Sequence, residues 1–118
     1  RLHASEACST KPQLQHYDSQ GFLTNSVTYS PSYHSMMSLG ISSGHANLPY
    51  AYPGPSSNLE RGMVSYLMNQ LDAGVCCPLV MTFASVSVVI DNGGCGVEGL
   101  EEKVVSGIYD GGDKPLEE

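Results

Sequence analysis

Apolar residues concentrate between positions 57 and 90, in two segments separated by a short break. In the first segment they recur every four residues, with Val64 and Met68 in the adjacent row. The recurring residues are Leu59, Met63, Leu67 and Leu71. This spacing predicts an α-helix with an apolar face about one third of its circumference wide.

Residues at both ends of this predicted helix indicate its limits. Ser57 and Glu60 have the spacing of a capping box, in which each side chain binds a backbone N–H at the helix start. Gly74 suits the left-handed conformation that ends many helices. Pro78 then fits the first turn of a second helix, where its missing N–H costs nothing.

The second apolar segment, residues 79–90, has no charged residue, and its secondary structure is ambiguous. The β-branched residues Val86, Val88 and Val89 favour a strand. Because nearly every position is apolar, periodicity does not separate a buried strand from a buried helix. Both alternatives place the segment in the interior, so the rest of the chain has to cover it.

The first third of the chain carries weaker signals. Residues 1–15 are polar and aperiodic, which predicts a loop or a frayed lead-in. Residues 17–21 have the composition of a turn. Leu23, Val27 and Tyr29 then fall on one side of an extended segment, a weak indication of a strand.

A shorter helix is predicted from Ser30, which can cap it, and Pro31, which suits its first turn. Its apolar face carries Tyr33, Met37 and Ile41. Gly44 is expected to end this helix, and residues 45–56 are rich in Pro, Gly and Tyr, which predicts a loop.

The last part of the chain begins with a predicted loop at residues 91–94. Leu100, Val104 and Ile108 then recur with helical spacing, which predicts a final amphipathic helix. From Asp110 onward the sequence is acidic and aperiodic.

Length and charge restrict the possible functions. A chain of 118 residues suits one domain. The formal net charge is −7, and no basic stripe offsets the acidic residues near the C-terminus. Because such a surface repels a polyanion, nucleic acid is not expected as a partner of this chain alone.

The cysteines indicate the redox compartment of the protein. Cys8, Cys76, Cys77 and Cys95 show no C-x-x-C spacing, which predicts a reduced, intracellular protein with partly buried thiols. No signal peptide is visible, and no run reaches the roughly 18 apolar residues of a membrane span.

Because the chain opens at Arg1 without a methionine, we expect it to be a piece of a longer protein.

No motif for a metal or for catalysis stands out. The four histidines and four cysteines lack the spacings that present two ligands to one zinc ion, so no metal site is expected. No G-x-S-x-G elbow is present. Residues 93–96 resemble a phosphate-binding loop only loosely, because the following Lys and Ser or Thr are missing, and a flexible linker is the favoured interpretation.

Three segments resemble, in the same order, motifs of the acyl-CoA dehydrogenase family, in the branch of the bacterial alkylation-response flavoproteins. They are residues 17–21 (YDSQG), 30–37 (SPSYHSMM) and 70–84 (QLDAGVCCPLVMTFA). Family members typically read D-S-Q-G, H-P-S-W-H and E-A-G-T-L-C-P-x-T-M-T-F-A. Ser30 and Tyr33 replace the usual His and Trp.

The resemblance implies an all-α fold, the N-terminal helical domain of the family, with about four helices and long loops. It implies one domain over residues 1–118, with 110–118 as a linker towards a missing middle β-domain. For residues 79–90 it implies a buried helix rather than a strand.

The resemblance also implies a flavin-dependent parent enzyme that dehydrogenates an acyl-CoA thioester and is commonly a homo-oligomer. FAD would lie between the middle and C-terminal domains, and the flavin-side loop T-E-x-x-G-G-S-D is absent here. This chain alone is therefore expected neither to bind FAD nor to turn over acyl-CoA. A non-catalytic acyl-CoA binder and a DNA-protecting flavoprotein are the alternatives for the parent.

In the family, the helix that matches residues 79–90 lines the acyl tunnel. Carried over by position, the candidate substrate-binding residues are Met81, Thr82, Ser85 and Val89. The alternative is that these side chains pack only against neighbouring helices. No residue is assigned as catalytic, and the compartment within the cell is not distinguished.

Overall fold

The computed structural model describes residues 2–111 as a mostly helical molecule with one small sheet. The elements are α1 (Leu2–Ser9), β1 (Gln13–Tyr17), β2 (Leu23–Thr28), α2 (Pro31–Ser42), α3 (Leu48–Ala51), α4 (Ser57–Leu71), α5 (Ala73–Asp91), a 3-10 turn (Gly93–Gly96) and α6 (Leu100–Val105). The predicted helical character is confirmed, but the chain is not purely all-α because β1 and β2 form a hairpin. The predicted linker at 110–118 lies outside the described residues from position 112 on.

The N-terminal segment folds into α1 and β1, so the predicted loop or frayed lead-in at residues 1–15 is wrong. Ala4 is buried in the core, and α1 packs against α2. The Ser32 hydroxyl donates a 2.6 Å hydrogen bond to the Glu6 carboxylate and lies 3.0 Å from Nδ1 of His3. Since α1 is short and lacks an apolar period, these tertiary contacts rather than a local pattern keep it helical.

The strands β1 and β2 pair antiparallel, with Tyr17 opposite Leu23 at the turn. The Asp18 carboxylate accepts hydrogen bonds from the backbone N–H groups of Gln20 (2.8 Å) and Phe22 (2.9 Å), as the turn composition predicts. The strand indicated from Leu23 is thus confirmed as β2. All of β1 is solvent-exposed, so the hairpin covers little of the core.

Helix α2 begins as predicted, because the Ser30 hydroxyl accepts a 3.1 Å hydrogen bond from the Tyr33 N–H and Pro31 is the first helical residue. Gly44 follows the helix with φ of +84°. The chain then forms the short α3 inside the predicted 45–56 loop.

The core lies where α1, α2, α4 and α5 meet. Its buried residues are Ala4, Met36, Met37, Ala46, Met68, Val75, Cys76 and Leu79. Gly40 allows α2 to approach α5, because a Cβ at this position would overlap the Leu79 side chain. The predicted helix over 79–90 is confirmed as the C-terminal part of α5.

The start of α4 differs from the predicted capping box by one residue. Ser56, not Ser57, occupies the N-cap position, and its hydroxyl donates a 2.6 Å hydrogen bond to the Glu60 carboxylate. The Ser57 hydroxyl turns inward and donates to the Gly54 carbonyl at 2.8 Å. The Ser57 hydroxyl, which the sequence pattern assigns to the helix cap, therefore binds the turn before the helix instead.

The boundary between α4 and α5 is also displaced. Asp72 is the only residue between the two helices, so the prediction that Gly74 ends the first helix is wrong. Gly74 lies inside α5, and Pro78 lies beyond the first turn rather than within it. Without an N–H, Pro78 cannot donate to the Gly74 carbonyl one turn earlier.

Candidate functional site on the α4–α5 hairpin

Helices α4 and α5 contact each other as an antiparallel hairpin that turns at Asp72. The Asp72 carboxylate accepts a 2.8 Å hydrogen bond from the Gly74 N–H and so caps α5. Towards the other end of the hairpin, the guanidinium carbon of Arg61 lies 3.5 Å from the centre of the Phe83 ring. A cation–π contact of this kind contributes about 0.5–2 kcal/mol.

The same arginine joins the hairpin to the chain before α3. Its Nε donates a 2.8 Å hydrogen bond to the His45 carbonyl. The ring of Tyr50, in α3, lies 5.5 Å from the Phe83 ring between centroids. Arg61 and Phe83 thus fix α3 and the preceding turn against the hairpin, a contact that no local sequence pattern predicts.

The His45 side chain is fully buried, and neither ring nitrogen has a hydrogen-bond partner. Burial lowers the pKa of this histidine, and the nearby positive charge of Arg61 lowers it further. The ring is therefore neutral near pH 7. Within residues 2–111 neither ring nitrogen has a partner for proton transfer, and burying an unpartnered imidazole costs free energy of folding.

The four predicted substrate-binding residues do not share one exposed face. Met81 is 68% exposed, and Ser85 lies on the same exposed side of α5. Thr82 is half-buried at the edge of that side, whereas Val89 is 8% exposed and faces inward. The structure brings Met81 and Ser85 together, and the substrate role of all four residues stays a prediction.

The hydroxyl groups on this part of α5 are satisfied within the helix. Thr82 donates to the Pro78 carbonyl at 2.9 Å, and Ser85 donates to the Thr82 carbonyl at 2.8 Å. The Thr82 hydrogen bond lies in the turn of α5 that begins at Pro78. Because these hydroxyl groups already have acceptors, their side of the helix presents mainly apolar surface.

Exposed apolar side chains form one row on each helix of the hairpin. The α5 row consists of Val80, Met81 and Val88, which are 43%, 68% and 55% exposed. The α4 row consists of Leu59, Met63, Tyr66 and Leu67, which are 60–70% exposed. Apart from the adjacent pairs Val80–Met81 and Tyr66–Leu67, the residues of each row are three, four, seven or eight positions apart, so each row lies on one side of its helix.

The structure shows which way the predicted apolar face of α4 points. The apolar face running from Leu59 to Leu71 is real, but it points to solvent, and the inward contact is made by Met68 with Val64 beside it. The segment 79–90 is likewise only partly covered. Periodicity identifies an apolar face but does not show what covers it, and a large exposed apolar surface is typical of an interaction site.

The cavity at the glycine segment does not fit a flavin dinucleotide. The glycine segment that begins at Gly93 borders a cavity of about 360 Å³, but Glu98, Glu101 and Glu102 also line it. These carboxylates repel a pyrophosphate, and no Lys or Arg lines the cavity. No chemical step of this chain is therefore assigned to FAD.

The cysteines are less buried than predicted. Among them only Cys76 is buried, where its thiol lies 3.4 Å from the Asp72 carbonyl and burial raises its pKa. Cys8, Cys77 and Cys95 are exposed and free. Over residues 2–111 there is no group of three metal-ligating side chains.

Within the described part of the chain, one helix, α5, is long and apolar enough to cross a membrane by length and composition. This differs from the sequence-based expectation that no run is long enough. The core helix of a soluble protein has the same properties, so they do not by themselves indicate a membrane span.

Comparison with known proteins gives two matches. The family model described as the adaptive response protein AidB N-terminal domain matches residues 1–111. The putative acyl-CoA dehydrogenase AidB of Escherichia coli (strain K12) is 28% identical over 80 residues. That alignment covers 67% of this chain and 15% of the relative, so this chain corresponds to a small part of the relative's length.

Proposed function

Because the chain belongs to the family of AidB N-terminal domains, we propose that it forms the N-terminal helical part of a flavin-dependent acyl-CoA dehydrogenase-like oxidoreductase. In this proposal the chain does not carry the chemistry. Its contribution is an apolar surface, the α5 row, which becomes part of the wall around the acyl chain of an acyl-CoA thioester.

The observation that carries the proposal is the exposed apolar side of α5 around Met81 and Ser85. Val80, Met81 and Val88 leave this side largely uncovered. The neighbouring hydroxyl group of Ser85 is bound within the helix and offers little competing polarity. An acyl chain gains about 0.8 kcal/mol for each CH₂ group that it buries against such a surface.

The proposal also covers the flavin, the α4 row and the compartment of the protein. The flavin belongs to segments other than this chain, because the glycine segment is lined by carboxylates. We place the α4 row against the further domains or against another subunit of a homo-oligomer, and we place the protein inside the cell. A parent that binds acyl-CoA without turnover is separated from an enzyme by assaying turnover with an artificial electron acceptor.

The test uses the longer flavoprotein that the proposal requires. Ser85→Trp introduces a large ring on the exposed side of α5 beside Met81. Because the ring takes up space next to the acyl chain, we expect the longest acyl-CoA accepted to become shorter by at least two carbon atoms. The measurement is kcat/KM across a series of straight-chain acyl-CoA substrates.

Ser38→Trp is the matched control, since Ser38 is exposed on α2 and is not part of the hairpin. It is expected to leave the chain-length profile unchanged. An identical profile for Ser85→Trp and the unmodified protein would contradict the assignment of this side of α5 to the acyl wall.

A further inference from the structure

A cleft of about 290 Å³ lies where the end of α1, the end of β2, the start of α2 and the α4–α5 corner meet. The residues used below are Lys11, Tyr29, Tyr33, Asp72 and Gly74, which all line it. We call it the Asp72 cleft. Its volume is at the lower limit of typical small-molecule sites. None of the candidate acyl-binding residues lines it.

Asp72 supplies a buried negative charge at the cleft. The residue is 5% exposed, and the one hydrogen bond found for its side chain comes from the Gly74 N–H. Within residues 2–111 no Lys, Arg or His lies within salt-bridge distance of this carboxylate. Because buried charges are normally paired, this carboxylate is a place where a cation gains energy.

Two stacked aromatic rings supply the second recognition element. The rings of Tyr29 and Tyr33 lie 4.3 Å apart between centroids and 21° from parallel. Burial raises the pKa of Tyr33, and the electrostatic influence of Tyr29 and Asp72 raises it further, so its phenol stays neutral at pH 7. Aromatic rings attract alkylammonium groups through their negatively polarised faces.

Among residues 2–111, Lys11 is the only cationic residue that lines the cleft, and its side chain is exposed. It forms no ion pair with Asp72 in the described chain. The cleft thus combines a buried carboxylate, an aromatic pair and free volume, and within residues 2–111 the carboxylate has no ion-pair partner.

We propose that the Asp72 cleft binds a small organic ammonium group, which the carboxylate of Asp72 and the Tyr29–Tyr33 pair recognise. The inference is independent of the acyl-binding proposal, because it uses different residues. The competing explanation is that Asp72 only caps α5. Asn caps helices about as well as Asp, so Asp72→Asn removes the charge while keeping the cap.

The experiment titrates the isotopically labelled 118-residue chain with choline chloride and follows the backbone amide signals by NMR. Saturable shifts are expected for the amides of Lys11 and Gly74. The neutral isostere 3,3-dimethylbutan-1-ol, which lacks the positive charge, is expected to bind at least tenfold more weakly. Asp72→Asn should also weaken choline binding at least tenfold.

Asp91→Asn is the matched control, because it removes one carboxylate from the exposed end of the same helix. It is expected to leave choline binding unchanged. Non-saturable shifts, equal binding of choline and its neutral isostere, or unchanged binding by folded Asp72→Asn would each overturn the proposal. If Asp72→Asn does not fold, the difference in affinity between choline and its neutral isostere on the unmodified chain still tests the proposal.

Discussion

At the scale of single residues, His45 shows how one buried side chain links stability to pH. Both ring nitrogens are without partners, and the folded state lowers its pKa through burial and the charge of Arg61. Above about pH 6.5, His45 is neutral in both the folded and the unfolded chain and does not affect the free energy of unfolding. Below that pH the unfolded chain binds a proton that the folded chain does not.

The chain is therefore expected to lose stability as the pH falls through the range just below 6.5. For one group the loss is at most about 1.4 kcal/mol per pH unit. His45→Phe removes the titrating nitrogens, and we expect it to reduce this loss between pH 7.5 and 5.5, as measured by urea unfolding. His16→Asn, at an exposed position, serves as the control. Equal pH dependence of His45→Phe and the unmodified chain would contradict the role of His45.

At the scale of elements, the start of α4 depends on two adjacent serines with different environments. Ser57 is 5% exposed, and its hydroxyl satisfies the Gly54 carbonyl, whereas Ser56 bonds to Glu60 in solvent. Ser57→Ala removes a buried hydrogen bond, so we expect the free energy of unfolding to fall by about 1 kcal/mol. Ser56→Ala should cost less than about half of that.

The measurement is the urea midpoint of each variant under identical conditions. A larger loss for Ser56→Ala than for Ser57→Ala would show that the cap at Ser56, rather than the inward hydroxyl of Ser57, determines how the helix begins.

The elements that the sequence predicts are those with a strong local signal. Ser30 and Pro31 mark the start of α2, and the four-residue apolar period marks α4, because caps and periodicity depend only on nearby residues. The prediction that residues 79–90 are helical depended on the family resemblance, because periodicity does not separate a strand from a helix there. Helix α1 has no apolar period, so its folding through Ala4 and Glu6 could not be predicted locally.

The candidate site was predictable only in part for a related reason. The position of Met81 and Ser85 on one side of α5 follows from helical spacing. Which sides of α4 and α5 face solvent depends on the tertiary packing of α2 and α1, which local patterns do not encode. For the same reason the sequence does not predict the contact of Arg61 with Phe83 and His45.

At the scale of the whole molecule, the shape explains why two apolar rows remain exposed. The extents of the Cα positions are 55 × 39 × 16 Å, and the radius of gyration is 16.0 Å. A compact chain of this length has a radius of gyration of about 13 Å. Since a helix with its side chains is about 10–12 Å across, the thin dimension cannot bury α5 on both sides.

The carboxylates near the glycine segment predict how the isolated chain behaves with FAD. After incubation with excess FAD and removal of the free cofactor, we expect no flavin absorbance to remain with the chain. A flavin band near one equivalent would contradict this expectation and would indicate a cofactor site in this chain.

The central claim, that the exposed side of α5 becomes an acyl-binding wall, is tested most directly by methionine oxidation. The five methionines fall into two classes in the isolated chain. Met63 and Met81 are more than 60% exposed, whereas Met36, Met37 and Met68 are less than 10% exposed. With dilute hydrogen peroxide and peptide mass spectrometry, the first two should oxidise faster than the other three.

In the longer flavoprotein, saturating acyl-CoA should slow the oxidation of Met81 at least fivefold and leave the rates at the other four methionines unchanged, because the proposal places only Met81 against the acyl chain. Those four methionines thus serve as controls within the same sample. A rate at Met81 that is the same with and without acyl-CoA would contradict the account.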